Sequence, residues 1–225
     1  YQALVIDEAH KLPETVCQMN TRRIRSSDLL HFERILTTSH CTLGAQKLRG
    51  AGREFLAAFA PAENESEREK PLCMTPEQAA VLQHLNKALQ EILKLETKEV
   101  PPVLRNKLRD TQELILHFLR SDTTFVRYVE YRRENGTQAI DLCTVPFDLP
   151  RCVYDALWRN QKPAILTSGS LAVGEDFTHT KQQFGLDRGT ALRTLRIASP
   201  FRYDENCLLY FPAPYRKKVL SLIHI

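Results

Sequence analysis

Ala3-Leu4-Val5-Ile6, running into Asp7-Glu8-Ala9-His10, is an apolar stretch that ends by delivering two carboxylates and a histidine. Four consecutive apolar residues including Val and Ile predict a short strand covered on both faces, as in a parallel sheet. A strand with Asp-Glu at its carboxyl end supplies what nucleotide hydrolysis in an α/β domain requires. The Asp holds Mg²⁺ through the ion's water shell, and the Glu polarises the water that attacks a γ-phosphate. From composition, the string Asp-Glu-Ala-His arises on the order of once in a thousand chains of this length, so coincidence explains it poorly. The competing reading is an acidic pair in a helix's first turn, where it would meet the positive end of the dipole.

A chain of 225 residues accommodates one large or two modest domains. Hydrophobic content of 43% and charged content of 26% are ordinary globular values, which excludes a disordered or fibrous chain. No apolar run has membrane-spanning length and no charged-then-apolar leader opens the sequence, so a cytoplasmic, bacterial setting without a membrane partner is expected. The net charge of +4 is scattered through helical segments; it suits a polyanionic partner without demanding one. The six cysteines (17, 41, 73, 143, 152 and 207) contain no C-x-x-C pair, so reduced thiols are expected, not a zinc site or a disulfide scaffold. The opening at Tyr1 inside the apolar stretch, and the close at Leu220–Ile225 without a helix end, read as truncations of a longer protein.

After Leu12-Pro13-Glu14 the pattern turns helical. Ser26-Ser27-Asp28 is placed to cap a helix running to about His40, with Leu29, Leu30, Phe32, Ile35 and Leu36 on its apolar side. Gly44 and Gly50-Ala51-Gly52 weaken the next segment, and Phe55, Leu56 and Phe59 restore its periodicity. The charge-dense stretch 61–73 predicts an exposed loop. Thr75-Pro76-Glu77-Gln78 is a capping box with proline at the first helical position, followed by Val81, Leu82, Leu85, Leu89, Ile92 and Leu93. Pro101-Pro102 ends that helix and opens another, striped by Leu104, Leu108, Ile115, Phe118 and Leu119. Such stripes either form a partner groove or bury themselves against one another, and packed helices are the commoner outcome.

From Thr123 the period falls towards two. Phe125–Tyr131, Asn135-Gly136 and Ala139–Leu142 read as a hairpin with its preferred turn. Arg127, Arg132 and Arg133 lie among its aromatic residues, as weak candidates for nucleic-acid contact; an exposed charged face is the plainer reading. Pro150–Trp158 predicts a short helix, and Pro163-Ala164-Ile165-Leu166 a second buried strand ending in Thr167-Ser168-Gly169-Ser170-Leu171. Leu192–Ile197 and Cys207–Phe211 read as two further strands, separated by the break at Ser199-Pro200-Phe201.

Val5-Ile6-Asp7-Glu8-Ala9-His10-Lys11-Leu12-Pro13-Glu14 and Ile165-Leu166-Thr167-Ser168-Gly169-Ser170-Leu171, with Phe177 downstream, resemble motifs II and III of superfamily-two helicases. The details are similar to the DinG-like and XPD-like branch. Ser199-Pro200-Phe201-Arg202-Tyr203 followed by Asn206–Tyr210 resembles that branch's crossing into its second motor domain. RNA helicases of the DEAH type carry only a short connection between these motifs, whereas positions 11–166 intervene here. A structureless connection of that length is implausible. The branch places its mostly helical Arch domain at this point.

The resemblance implies an α/β fold: part of a RecA-like (P-loop NTPase) motor domain with a large, mostly helical Arch-like insertion. Residues 1–14 and 160–198 would belong to the first motor domain, 15–159 to the insertion with its hairpin, and 199–225 to the start of a truncated second motor domain. That first domain would then present an incomplete sheet with an exposed edge. By likeness, the activity would be ATP-dependent 5′→3′ translocation on single-stranded DNA and unwinding of forked duplexes, in repair or replication. Glu8 and Asp7 would be catalytic, with Asp7 acting on Mg²⁺ through water. His10 would couple the nucleotide site to Ser168, Gly169 and Ser170; the family more often has Thr where Ser170 stands, and the hydroxyl is kept.

No G-x-x-x-x-G-K-[ST] loop occurs in the sequence, so the reading expects the ATP phosphate cradle before Tyr1 and leaves these residues inactive by themselves. Many relatives carry a [4Fe–4S] cluster on cysteines upstream of the Asp-Glu motif. A cluster in the full-length protein would not be ligated by the cysteines present here. The alternatives are a non-catalytic DNA- or partner-binding remnant and an RNA helicase. The sequence identifies no protein partner.

Overall fold

The opening apolar stretch folds as β1 (Leu4–Ile6), preceding a single tight helical turn over Ala9–Lys11 and then α1 (Leu12–Asn20), with Pro13 in its first turn. The computed structural model describes residues 2–61, 68–95, 100–120, 122–134, 137–160, 162–188, 191–198, 200–201 and 203–206. After α1 come β2 (Arg22–Arg25), α2 (Ser26–Thr38), α3 (Thr42–Ala58), β3 (Glu69–Pro71), α4 (Pro76–Leu93) and α5 (Pro102–Leu119). Then follow β4 (Phe125–Glu134), β5 (Thr137–Pro146), α6 (Leu149–Val153) widening into a π-type turn over Tyr154–Trp158, β6 (Ala164–Leu166), α7 (Thr178–Gln183) and the one-turn α8 (Tyr203–Asn206). The fold is mixed α/β, with one parallel strand pair and one antiparallel sheet among the described residues.

The larger core is helical and sheet-backed. The antiparallel sheet has the order β2-β5-β4-β3, and its Ile24, Val129, Ile140 and Leu142 side meets the apolar faces of α2 to α5. The expected stripes are the buried ones: Leu82, Leu85, Leu89 and Ile92 from α4, and Leu104, Leu108, Ile115 and Phe118 from α5. The capping box forms as the sequence predicts, with Gln78 N–H donating to Thr75 Oγ1 at 3.2 Å and Thr75 N–H to Gln78 Oε1 at 3.1 Å. β4 and β5 form the expected hairpin, with Glu134 opposite Thr137; the Asn135-Gly136 turn lies outside the described residues.

Four local expectations are corrected here. Ser26 does not cap α2: Arg25 stands at the cap position without a side-chain bond, and the buried Ser26 hydroxyl accepts from Ile140 N–H at 2.9 Å, tying the helix to β5. Gly44 does not interrupt α3, which runs unbroken for 17 residues. It makes room for the side chain at the helix's own cap, since a Cβ there would lie 2.7 Å from Cys41 Sγ. Part of the 61–73 loop is strand: Glu69–Pro71 is exposed yet pairs with Tyr128–Glu130. Leu192–Ile197 makes no strand; it is irregular, with Leu195 and Ile197 each 81% exposed, because no described strand pairs with it. The proposed strand Cys207–Phe211 lies outside the described residues.

A second, smaller core gathers Ala9, Val16, Val153, Trp158, Phe184 and Leu186. Val16 of α1 and Val153 of α6 belong to it, and α1 also touches β5. Trp158 Nε1–H donates to the Phe184 carbonyl at 2.7 Å. Gly185, at φ 65°, is pressed so closely on α6 that a Cβ would fall 2.3 Å from the Pro150 carbonyl oxygen. Only a residue without a side chain accepts both conditions.

β1 and β6 rest on this smaller core. They pair in parallel across more than 150 residues, Leu4 with Ala164, Val5 with Ile165 and Ile6 with Leu166. Both expected strands are therefore present, but the expectation of burial on both faces is wrong. Ile6 and Leu166 pack inward, whereas Val5 is 67% and Ile165 61% exposed. Among the described residues, a parallel pair that would normally be covered on both sides is covered on one.

Candidate functional site

The two strands end side by side and stay bonded past their last paired residues. Thr167 N–H donates to the Ile6 carbonyl at 2.9 Å, and Ala9 N–H donates to the Thr167 carbonyl at 2.9 Å. This stitching follows from the register: with Ile6 opposite Leu166, the next residues, Asp7 and Thr167, fall opposite each other. Ala9, fully buried, pins the turn into the smaller core and leaves its polar neighbours at the surface.

Asp7 is exposed and tightly held. Its Oδ1 accepts the Thr167 hydroxyl at 2.6 Å and Glu8 N–H at 2.9 Å. The Thr167 hydroxyl first, and the Glu8 amide second, hold its carboxyl below the usual aspartate range, because both bond the charged form. Glu8 adopts φ 49°, ψ 41°, the left-handed region that costs a side-chain-bearing residue roughly 1–2 kcal/mol. That reversal carries the chain straight from strand into the tight turn and swings His10 back to the strand tips. His10 Nδ1 lies 2.8 Å from Ser168 Oγ and 3.2 Å from Glu8 Oε2, so two oxygens converge on one ring nitrogen.

The structure thus brings together Asp7, Glu8, His10 and Ser168, residues that stand about 160 positions apart in sequence. Ser170 joins through its backbone, its N–H donating to Ser168 Oγ at 3.4 Å. Gly169 sits at an exposed bend where a Cβ would meet nothing within 4 Å, so packing does not dictate a glycine there. Sequence reasoning passed over Thr167. Its only signal was its place as the first residue beyond β6, and that signal becomes readable once the strand pairing is known.

The donor set fits a hydrated Mg²⁺. That ion keeps several waters and uses one or two carboxylates plus substrate phosphates, not a protein cage. Asp7 offers one carboxylate held ionised, with two hydrogen bonds accepted at Oδ1.

Two of the three arginines considered for nucleic-acid contact have internal duties. Arg127 donates to the backbone carbonyls of Arg120 and Asp122, closing the turn into β4. Arg132 reaches the carboxylates of Asp141, fully buried, and Glu130, 7% exposed, which lie directly opposite each other on β5 and β4. Facing like charges repel; here Arg25 approaches Asp141 at 3.8 Å, while Arg23 and Arg68 approach Glu130 at 3.8 and 3.2 Å. Burial pushes the Asp141 carboxyl up, against the opposing pull of Arg132 and Arg25. Arg133 is exposed. Cys143, buried beneath this network, has its thiol pushed up to about 11 by burial, which rules out a reactive thiolate there.

The chain matches no protein-family model and no curated protein.

Proposed function

We propose that residues 1–225 are part of an ATP-driven DNA helicase, in which the β1 and β6 tips form the hydrolytic edge of a RecA-like motor domain and the larger core is its Arch-like insertion. The observation that carries the reading is the meeting of the Asp7-Glu8-Ala9-His10 turn with the Thr167-Ser168 tip, on parallel strands with a helical and sheet-backed unit between them. In this reading the phosphate cradle and the remaining motor strands come from sequence outside these 225 residues, and those strands cover the exposed Val5 and Ile165 face.

Glu8 takes the proton of the attacking water as the bond to the γ-phosphate forms. It does so after turning from His10, whose Nδ1 lies 3.2 Å from Glu8 Oε2. Asp7 is the residue that would hold the ion, through a carboxylate fixed by Thr167 and the Glu8 amide. A Mg²⁺ bound there with ATP would supply charge neutralisation to the phosphates. The His10–Ser168 contact links the hydrolytic turn to β6, so a shift at the phosphate is felt by the second strand. The substrate is single-stranded or forked DNA, with 5′→3′ polarity following from the family likeness alone.

The test is Glu8→Gln in the full-length protein. DNA-stimulated ATP hydrolysis should fall by roughly two to four powers of ten while ATP binding stays near wild type, as for loss of a positioned catalytic base. Wild-type turnover by the variant would defeat the assignment.

A further inference from the structure

Thr167 bonds the Asp7 turn at three points: its N–H reaches the Ile6 carbonyl at 2.9 Å, its carbonyl accepts from Ala9 N–H at 2.9 Å, and its hydroxyl reaches Asp7 Oδ1 at 2.6 Å. The two backbone bonds need no hydroxyl and would survive a change to valine or serine. The hydroxyl bond would not survive valine, and it is the one that ties the carboxylate itself to the neighbouring strand. The other donor to Oδ1, Glu8 N–H at 2.9 Å, is the next residue in the chain, so it moves with Asp7 and fixes nothing relative to β6.

We propose that Thr167 is a positioning residue for Asp7, fixing the carboxylate against β6 so that Oδ2 alone is presented to the hydrated divalent cation of a bound nucleotide. The inference rests on the motor reading above and deepens it. A carboxylate oxygen has two good acceptor positions, and both on Oδ1 are taken, which leaves Oδ2 for the metal's water. Without the hydroxyl the carboxyl can rotate about its side-chain bonds and offer either oxygen in several orientations. Adjacent residues then divide the work at the β6 tip, Thr167 holding the acid and Ser168 the histidine, so one strand movement displaces both.

The experiment compares wild type, Thr167→Val and Thr167→Ser in the full-length protein. Mn²⁺ binding is followed by electron paramagnetic resonance with a non-hydrolysable ATP analogue, so no turnover is needed. Thr167→Val keeps the shape and removes the hydroxyl; its Mn²⁺ midpoint should rise about tenfold or more, the usual scale for losing a bond that orients a metal-facing group. Thr167→Ser keeps the hydroxyl and should stay within about twofold of wild type, and it carries the test if the valine variant does not fold. A valine midpoint within twofold of wild type, or a serine midpoint shifted by the tenfold expected for valine, overturns the proposal. If wild type itself binds no Mn²⁺ with the nucleotide, the motor reading fails and this proposal with it, an outcome distinct from a wild type that binds and a valine variant that binds equally.

Discussion

The two cores of this protein are built on opposite terms. The larger one joins mainly elements that are near neighbours in sequence, α2 to α3, α3 to α4, α4 to α5 and β4 to β5, with β2 a long-range exception on β5, and its largest side chains are fully buried. The smaller one joins residues near position 10 to residues near positions 155 and 185, and it supports a strand pair with one face bare among the described residues. Most of the buried apolar side chains lie in the first, and the candidate site stands on the second. Short-range contacts make a core robust to local change, whereas a site assembled over a long loop depends on a few bonds at its tip.

The strongest way to break this contrast is to hollow the larger core. Phe55 is fully buried and packs at a tilt against Phe59, 5.1 Å between ring centres; Phe55→Ala should cost about 4 kcal/mol in urea unfolding of the 225-residue chain. A loss below about 1 kcal/mol would mean that this region is not the main source of stability. Next in size is Gly185→Ala, which places a Cβ at φ 65° against the Pro150 carbonyl and should cost about 2 kcal/mol. Its effect should appear chiefly as faster amide exchange in α6, β1 and β6, with α4 and α5 less affected.

Val5→Thr and Ile165→Thr probe the bare face. Each should change stability by less than about 0.5 kcal/mol, because both side chains are mostly in solvent in this chain. A cost above 1.5 kcal/mol would show that the face is covered and that the contrast with the larger core is smaller than drawn. The smallest effect concerns acid. Asp122 beside the larger core and Asp176 beside the smaller are each held low by a threonine two residues on, Thr124 and Thr178, bonding through hydroxyl and amide. Depressed carboxylates contribute stability above their unfolded value and lose it as pH falls through the lowered one. Carboxyl NMR titration should therefore place both midpoints under the ordinary aspartate value of 3.8, in both regions alike.

How much was legible differs between the same two regions. Thr75-Pro76-Glu77-Gln78, the leucines of α4 and the double proline before α5 announced themselves, because caps, proline and helical periodicity act within a few residues. β2 and β3 did not. Arg22-Arg23-Ile24-Arg25 and Glu69-Lys70-Pro71 lack apolar alternation, and each is extended because β5 or β4 offers it an edge. Leu192–Ile197 shows the converse, strand-like in composition and irregular because no described partner receives it.

At the candidate site, sequence alone determined which groups stand at the ends of β1 and β6: two carboxylates and a histidine on one, a run of hydroxyls on the other. Tertiary structure decided the rest. Parallel pairing set Thr167 opposite Asp7, and the left-handed turn at Glu8 returned His10 to Ser168. The physical reason is range: strand propensity is written in adjacent residues, but which hydroxyl meets which acid is fixed by register between segments far apart in sequence.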